Sequence, residues 1–107
     1  MTEKPLQISD GRAEVLDGAR ACVLTNRNVD YGEPEDNFRR IADLWTAWLW
    51  SRDLLARDQR LAMHDVAIMC GQIKEARIAE SPQKLDHWVD LAGYAACGYQ
   101  CVVKETR

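Results

Sequence analysis

A chain of 107 residues and 12.2 kDa has the size of one domain, and no Gly/Ser-rich or Pro-rich stretch divides it. Its apolar runs are short and interrupted by charge, and MTEKPLQISDGR has no apolar secretory region, which argues against a membrane span or export and for a cytoplasmic setting. The net charge of −3 argues against a broad cationic footprint for direct binding of duplex nucleic acid.

Residues 1–8 read as a loose leader to a single helical domain spanning 1–107. Ser9 or Asp10 then offers a cap for a first helix through Ala13, Val15, Leu16, Ala19, Cys22 and Val23, ending near Asn26. RNVDYGEPEDNF concentrates turn formers, and Pro34 stands where the first turn of a second helix tolerates it. From there Phe38, Ile41, Ala42, Leu44, Trp45, Trp48 and Leu49 recur at three- and four-residue steps, predicting one broad apolar face with Trp45 and Trp48 as core or dimer contacts. SRDLLARDQR reads equally as a helical tail or a loop.

The third predicted helix carries Val66, Met69, Ile73, Ala76 and Ile78 inside, and it stops before Ser81-Pro82 because proline lacks a donor and its ring clashes. The fourth runs from about Leu85 to Val103. Its Trp88, Val89, Leu91, Ala92, Ala95, Ala96 and Tyr99 leave only a narrow polar stripe and predict the most buried element. Strand periodicity is absent, so the expected fold is all-α, an antiparallel four-helix bundle. Its small size and aromatic-rich second helix predict a homodimer. Cys22, Cys70, Cys97 and Cys101 lie singly in apolar segments without CxxC spacing, which predicts buried thiols over disulfides or zinc ligands.

The acids Glu33, Glu35, Asp36, Asp65, Asp86 and Asp90 stand out. Acids near helix N-termini gain about 0.3–1 kcal/mol from the helix dipole, reason enough for Asp36, Asp65 and Asp86. Asp90 lies a full turn inside its predicted helix, in the apolar run WVDLAGYAA. Asp86 and Asp90, four apart, share a face, and a like-charge pair of this kind costs roughly 0.2–0.5 kcal/mol unless neutralised. Mg²⁺ in an oxygen shell is one neutraliser; Lys74 or Arg77, three apart on the third helix, is the other. Gly93 weakens the helix by about 0.8–1 kcal/mol relative to Ala, a cost that close helix approach or room for a ligand would explain. Tyr94 can present its ring or hydroxyl to the same space. His64 precedes Asp65 and His87 follows Asp86, but adjacent residues on a helix diverge, so no His-Asp catalytic pair is expected. P-loop, GxGxxG and nucleophile-elbow signatures are absent from the sequence.

RNVDYGEPEDNFRRIADLWTAWL and HDVAIMCGQIKEARIAESPQKLDHWVDLAGYAACG, within residues 27–98, resemble a family of small phage and prophage proteins of unassigned function. The likeness lies in the blocks YGxPEDNF, DVAxMxxxIKxAR and DxWVDxAGYAACG. More remotely the chain is similar to the MazG-type all-α nucleoside triphosphate pyrophosphatases, helical bundles that commonly dimerise and hold Mg²⁺ between acids of two helices. That resemblance implies metal ligands Glu35, Asp36, Asp86 and Asp90, with Glu35, Asp36 and Asp90 catalytic. It further implies phosphate charge balanced by Arg39, Arg40, Lys74 or Arg77, and base or sugar positioned by Asn37 or Tyr94. The implied reaction cleaves the α–β phosphoanhydride of a nucleotide, releasing a monophosphate and pyrophosphate in the host cytoplasm. The chain departs from the MazG pattern, with Glu33-Pro34-Glu35-Asp36 in place of ExxE and a DxxxD pair in place of ExxD. The rival expectations are a non-catalytic nucleotide-binding or sequestering protein and a helical interaction module built on Trp45, Trp48 and Trp88.

Overall fold

The computed structural model describes residues 10–24 and 33–106, and among these it is all-helical, with four helices and no strand. The helices are α1 (Gly11–Val23), α2 (Pro34–Ser51), α3 (Met63–Glu80) and α4 (Leu85–Thr106). The leader, Ser9 and Asn26 lie outside the described residues.

Each helix end has a local cause. Asp10 caps α1 by accepting from the Arg12 amide at 2.8 Å, and its side-chain bond to the Arg12 guanidinium holds its carboxyl below the usual range. The helix stops at Val23, three residues before the expected end, where the Leu24 amide closes onto the Arg20 carbonyl at 2.9 Å. Pro34 opens α2 at a position where its missing donor is harmless. The far end is a Schellman closure: the Leu54 amide bonds the Leu49 carbonyl at 2.9 Å and the Asp53 amide bonds the Trp50 carbonyl at 3.1 Å. Asp53 takes the left-handed position, with φ 56°, that glycine usually fills.

This closure settles the 51–60 alternatives in favour of a loop, apart from Ser51, the last residue of α2. The Trp50 indole N–H donates to the carbonyls of both Ala56 and Gln59, each at 3.0 Å. The Arg60 guanidinium lies 6.0 Å from the Trp50 ring centroid. Where α3 begins, Asp65 accepts from the Ala62 amide at 2.8 Å, so its role is structural. The Trp88 indole N–H reaches the Pro82 carbonyl at 2.8 Å and ties the α3–α4 turn to α4.

The core joins Phe38 and Ala42 of α2, Met63, Val66 and Ala67 of α3, and Cys97 and Cys101 of α4. A β-carbon at Gly98 would stand 3.2 Å from the Ala67 β-carbon, and one at Gly18 would stand 2.9 Å from a Val89 methyl. These two glycines therefore set the approach of α3 and α1 to α4.

Several burial expectations need correction. On α3 Val66 is buried, but Met69, Ile73 and Ala76 are exposed and Ile78 is half-buried. The stripe that meets α4 runs instead through Ala67, Gly71 and Lys74, which contact Gly98, Leu91 and Asp90. Periodicity located an amphipathic helix but chose a stripe rotated from the real contact. On α4 the buried positions are Val89, Gly93, Cys97, Gly98 and Cys101, whereas Trp88, Ala95, Ala96 and Tyr99 face outward. Trp45 is half-buried and Trp48 is 62% exposed. Cys22 is exposed, Cys70 half-buried, Cys97 and Cys101 buried, and all four thiols are free. No helix among the described residues is long and apolar enough to cross a membrane.

Thr46 is a buried polar residue whose hydroxyl has a defined partner. At 0% exposure it accepts the Leu61 amide at 2.9 Å. Thr46→Val keeps the shape but leaves that amide unpaired, so a loss of about 1–3 kcal/mol is expected from urea unfolding. An unchanged midpoint would show that this bond does not hold the loop.

Candidate functional site

A cavity of about 470 Å³ opens between the end of α1, the start of α2 and the middle of α4. Its walls are Cys22 and Val23 of α1; Glu33, Pro34, Asp36, Asn37, Phe38 and Arg40 at the beginning of α2; and Val89, Asp90, Gly93, Tyr94 and Cys97 of α4. Helical geometry explains the grouping: Asp36 and Arg40 are one turn apart on α2, as are Asp90 and Tyr94 on α4. Phe38 and Tyr94 meet with ring centroids 6.2 Å apart. A β-carbon at Gly93 would make only an ordinary 3.5 Å contact with Val23, so close packing does not demand glycine there. Gly93 forms part of the cavity wall.

Asp90 is held from the side. Its Oδ2 lies 3.0 Å from Nζ of Lys74 on α3, with the lysine side chain 22% and the aspartate 40% exposed. Of the two cations considered for this aspartate, Lys74 is therefore the partner and Arg77 is not. The Tyr94 hydroxyl is pushed above its usual range, first by burial and then by the neighbouring Cys70, Asp90 and Cys97, with Lys74 acting the other way.

The structure brings Asp36, Asn37, Asp90 and Tyr94 to one cavity, together with Glu33 and Arg40. Glu35 is elsewhere. It is 4% exposed, turned inward, and lies 3.8 Å from Lys104 of α4. Consecutive residues on a helix diverge by about 100°, so Glu35 and Asp36 do not face the same space. Asp86 is exposed in the first turn of α4 and Arg77 is exposed in the last turn of α3, where the helix dipole favours each. Arg39 lines a separate recess of about 420 Å³ with Asp43, Arg60 and Glu105. Lys74 touches Asp90 but is not part of the cavity wall.

The two buried thiols are quenched, and His64 stays outside the cavity. Burial raises the Cys97 thiol, with the Glu35 charge adding to the effect, and the same causes push Cys101 up to about 11. His64 Nδ1 lies 3.1 Å from Glu105 and the ring is 3.9 Å from Asp65, a surface arrangement on the far end of α3 and α4. Among the described residues no group of three or more His, Cys, Asp or Glu is arranged to hold a metal ion by itself. The cavity instead has three carboxylates in its lining, Glu33 and Asp36 at the start of α2 and Asp90 on α4, which are hard oxygen donors. That suits Mg²⁺, which takes one or two carboxylates together with substrate phosphates, and does not suit a closed metal cage.

No residue pattern signalled that Cys22 and Val23 would wall this cavity, because only the packing of α1 on α4 brings them there. Phe38 and Val89 read as core and also serve as wall.

The chain is similar to the Gene 55 protein of Mycobacterium phage L5, with 37% identity over 81 residues that make up 76% of this chain and 47% of the relative. It is also similar to the Gene 55 protein of Mycobacterium phage D29, with 31% identity over 83 residues, 78% of this chain and 50% of the relative. The chain thus spans about half the length of the curated relatives it matches. No solved structure matches it significantly. The family model described as a domain of unknown function, DUF6378, matches residues 14–102 and so takes in every residue of the cavity wall. On that match the chain belongs to the DUF6378 family.

Proposed function

We propose that this chain is a Mg²⁺-dependent nucleoside triphosphate pyrophosphohydrolase-like phage protein, acting in the host cytoplasm as a homodimer of antiparallel helical bundles. The observation that carries this reading is the cavity in which Asp36 of α2 and Asp90 of α4 face a common space with Asn37, Arg40 and Tyr94. Three carboxylates, Glu33, Asp36 and Asp90, line it against one guanidinium, Arg40, and even with Asp90 paired to Lys74 the acids outnumber the bases. Such a wall repels a bare polyphosphate and favours one that arrives with a divalent cation. This charge balance favours the hydrolase over a sequestering protein, whose pocket would carry an excess of basic groups.

Asp36 and Asp90 would hold Mg²⁺, with Glu33 beside them. When bound, the ion supplies neutralisation of phosphate charge and a bound water of lowered pKa. Arg40 stabilises charge on the phosphates through its fork of donors. Asn37 hydrogen-bonds base or sugar, and the Phe38 and Tyr94 rings offer an apolar surface to either. Glu35 and Asp86, implied as ligands by the MazG-type likeness, stand outside the wall and are left out of this proposed set. The dimer reading is supported by Leu44 and Trp48 on α2 and by Ile68 and Ile73 on α3, all more than half exposed. The same Trp48 supports the rival interaction module, since aromatic residues are enriched at interfaces.

The test is incubation of the purified chain with the eight common ribo- and deoxyribonucleoside triphosphates, with and without Mg²⁺, assaying monophosphate and pyrophosphate, with light scattering on the same sample. Mg²⁺-dependent release of both products from at least one nucleotide, and a dimer mass, are expected. Binding without turnover would transfer the cavity to the sequestering reading. Neither binding nor turnover would remove it, and a monomer mass at high concentration would remove the dimer.

A further inference from the structure

Lys74 stands in an unusual place for a residue meant to meet a ligand. Its ammonium is 3.0 Å from Asp90 Oδ2, its side chain is largely buried, and it takes no part in the cavity wall to which Asp90 belongs. Asp90 therefore meets a cation of its own protein on one side and the cavity on the other. It also lies four residues from Asp86, which bears the same charge on the same helix.

We infer that Lys74 is the resident counter-cation of Asp90, competing with a divalent metal ion for that carboxylate, so that the cavity takes up metal weakly alone and more tightly together with a polyphosphate. This rests on the reading of Asp90 as a metal ligand and adds a control on it. An ammonium at hydrogen-bond distance already offsets the aspartate charge, and it repels a second cation approaching the same group through a partly shielded space. Phosphate charge on the cavity side compensates that repulsion. Metal and phosphate then enter as a unit, and the empty protein keeps its buried-side charge paired. A lysine acting as a phosphate ligand, or one that merely aims Asp90, has different consequences.

The experiment titrates Mg²⁺ and Mn²⁺, each alone and each with inorganic pyrophosphate, into the parent chain, Lys74→Met and Lys74→Arg by calorimetry. Met keeps the stem and removes the charge, and Arg keeps the charge. Metal alone is expected to bind Lys74→Met about fivefold more tightly than the parent, the scale of one partly exposed ion pair. The gain in metal affinity from pyrophosphate should shrink in the same variant, and Lys74→Arg should resemble the parent. Weaker metal binding by Lys74→Met would overturn the inference and make the lysine an anchor that aims Asp90. Unchanged metal binding with loss of pyrophosphate binding would overturn it and make Lys74 a phosphate ligand. If neither the parent nor a folded Lys74→Met binds metal, with or without pyrophosphate, the metal reading of Asp90 falls and takes the inference with it. The first two failures leave metal binding by the parent intact, so they are distinguishable from the last. Should Lys74→Met not fold, Lys74→Gln makes the same comparison.

Discussion

On the proposed hydrolase reading, Asp90→Asn is expected to lower Mg²⁺-dependent turnover by at least about a hundredfold, the scale on which removing one transition-state stabilising group acts. The amide keeps the shape of the carboxylate but cannot neutralise a metal ion, and it leaves the Lys74 ammonium without its charged partner 3.0 Å away. A second readout follows from that contact. Because the aspartate is 40% exposed, water screens the loss, and the variant should be less stable by only about 1 kcal/mol. Asp86→Asn is the matched control: Asp86 lies outside the cavity wall, so turnover should persist. Pyrophosphate release and thermal melting of both variants decide the matter. Full activity in Asp90→Asn, or loss in Asp86→Asn equal to it, would sink the proposed ligand set.

Phe38→Ala carries the largest expected loss of stability, about 3–5 kcal/mol, from lost burial and the cavity left behind. Phe38 is buried among the α2, α3 and α4 core residues and also contacts Tyr94 on the cavity side. A domain of this size has a total stability of roughly 5–15 kcal/mol, so the substitution removes a large share of it. At about 4–8 °C for each kcal/mol, the melting temperature should fall by on the order of 20 °C. Phe38→Leu, which retains most of the volume, should lose much less. A fall of only a few degrees in Phe38→Ala would mean that the helices are held by contacts other than this cluster.

What could be read in the chain and what could not divide along the range of the forces involved. Pro34 and Ser81-Pro82 marked helix ends because a missing amide donor acts on its own backbone, whatever the tertiary setting. Asp90 was conspicuous because a carboxylate inside an apolar helical run demands a partner, and Lys74 was one of the two candidates at the right face. The rotation of each helix about its axis was not local. Whether Glu35 or Asp36 faces the cavity depends on how α2 seats on α3 and α4, and the two neighbours took opposite environments. The same reason misplaced Met69 and Ile73: an apolar stripe reveals amphipathicity, but the tight α3–α4 contact selected small residues and an ion pair in place of the larger side chains. Cys22 departs from its expected burial because composition reports a thiol's preference for the interior, while its position in the last turn of α1 left it exposed.

The indole of Trp50 has a consequence for how relatives of this chain can vary in length. One N–H shared between the carbonyls of Ala56 and Gln59 fixes the distance between those two residues as well as their distance from α2. The connection from α2 to α3 is therefore ruled by spacing as well as by composition: its side chains are mostly exposed, with Arg57 and Arg60 reaching back to α2, and a residue inserted between Ala56 and Gln59 would pull one carbonyl off the indole. An insertion after Gln59, ahead of the Leu61 amide that Thr46 accepts, would give up that second bond instead. The loop behaves as a measured spacer, and a relative with a different loop length is expected to have lost either the tryptophan or the threonine that measures it.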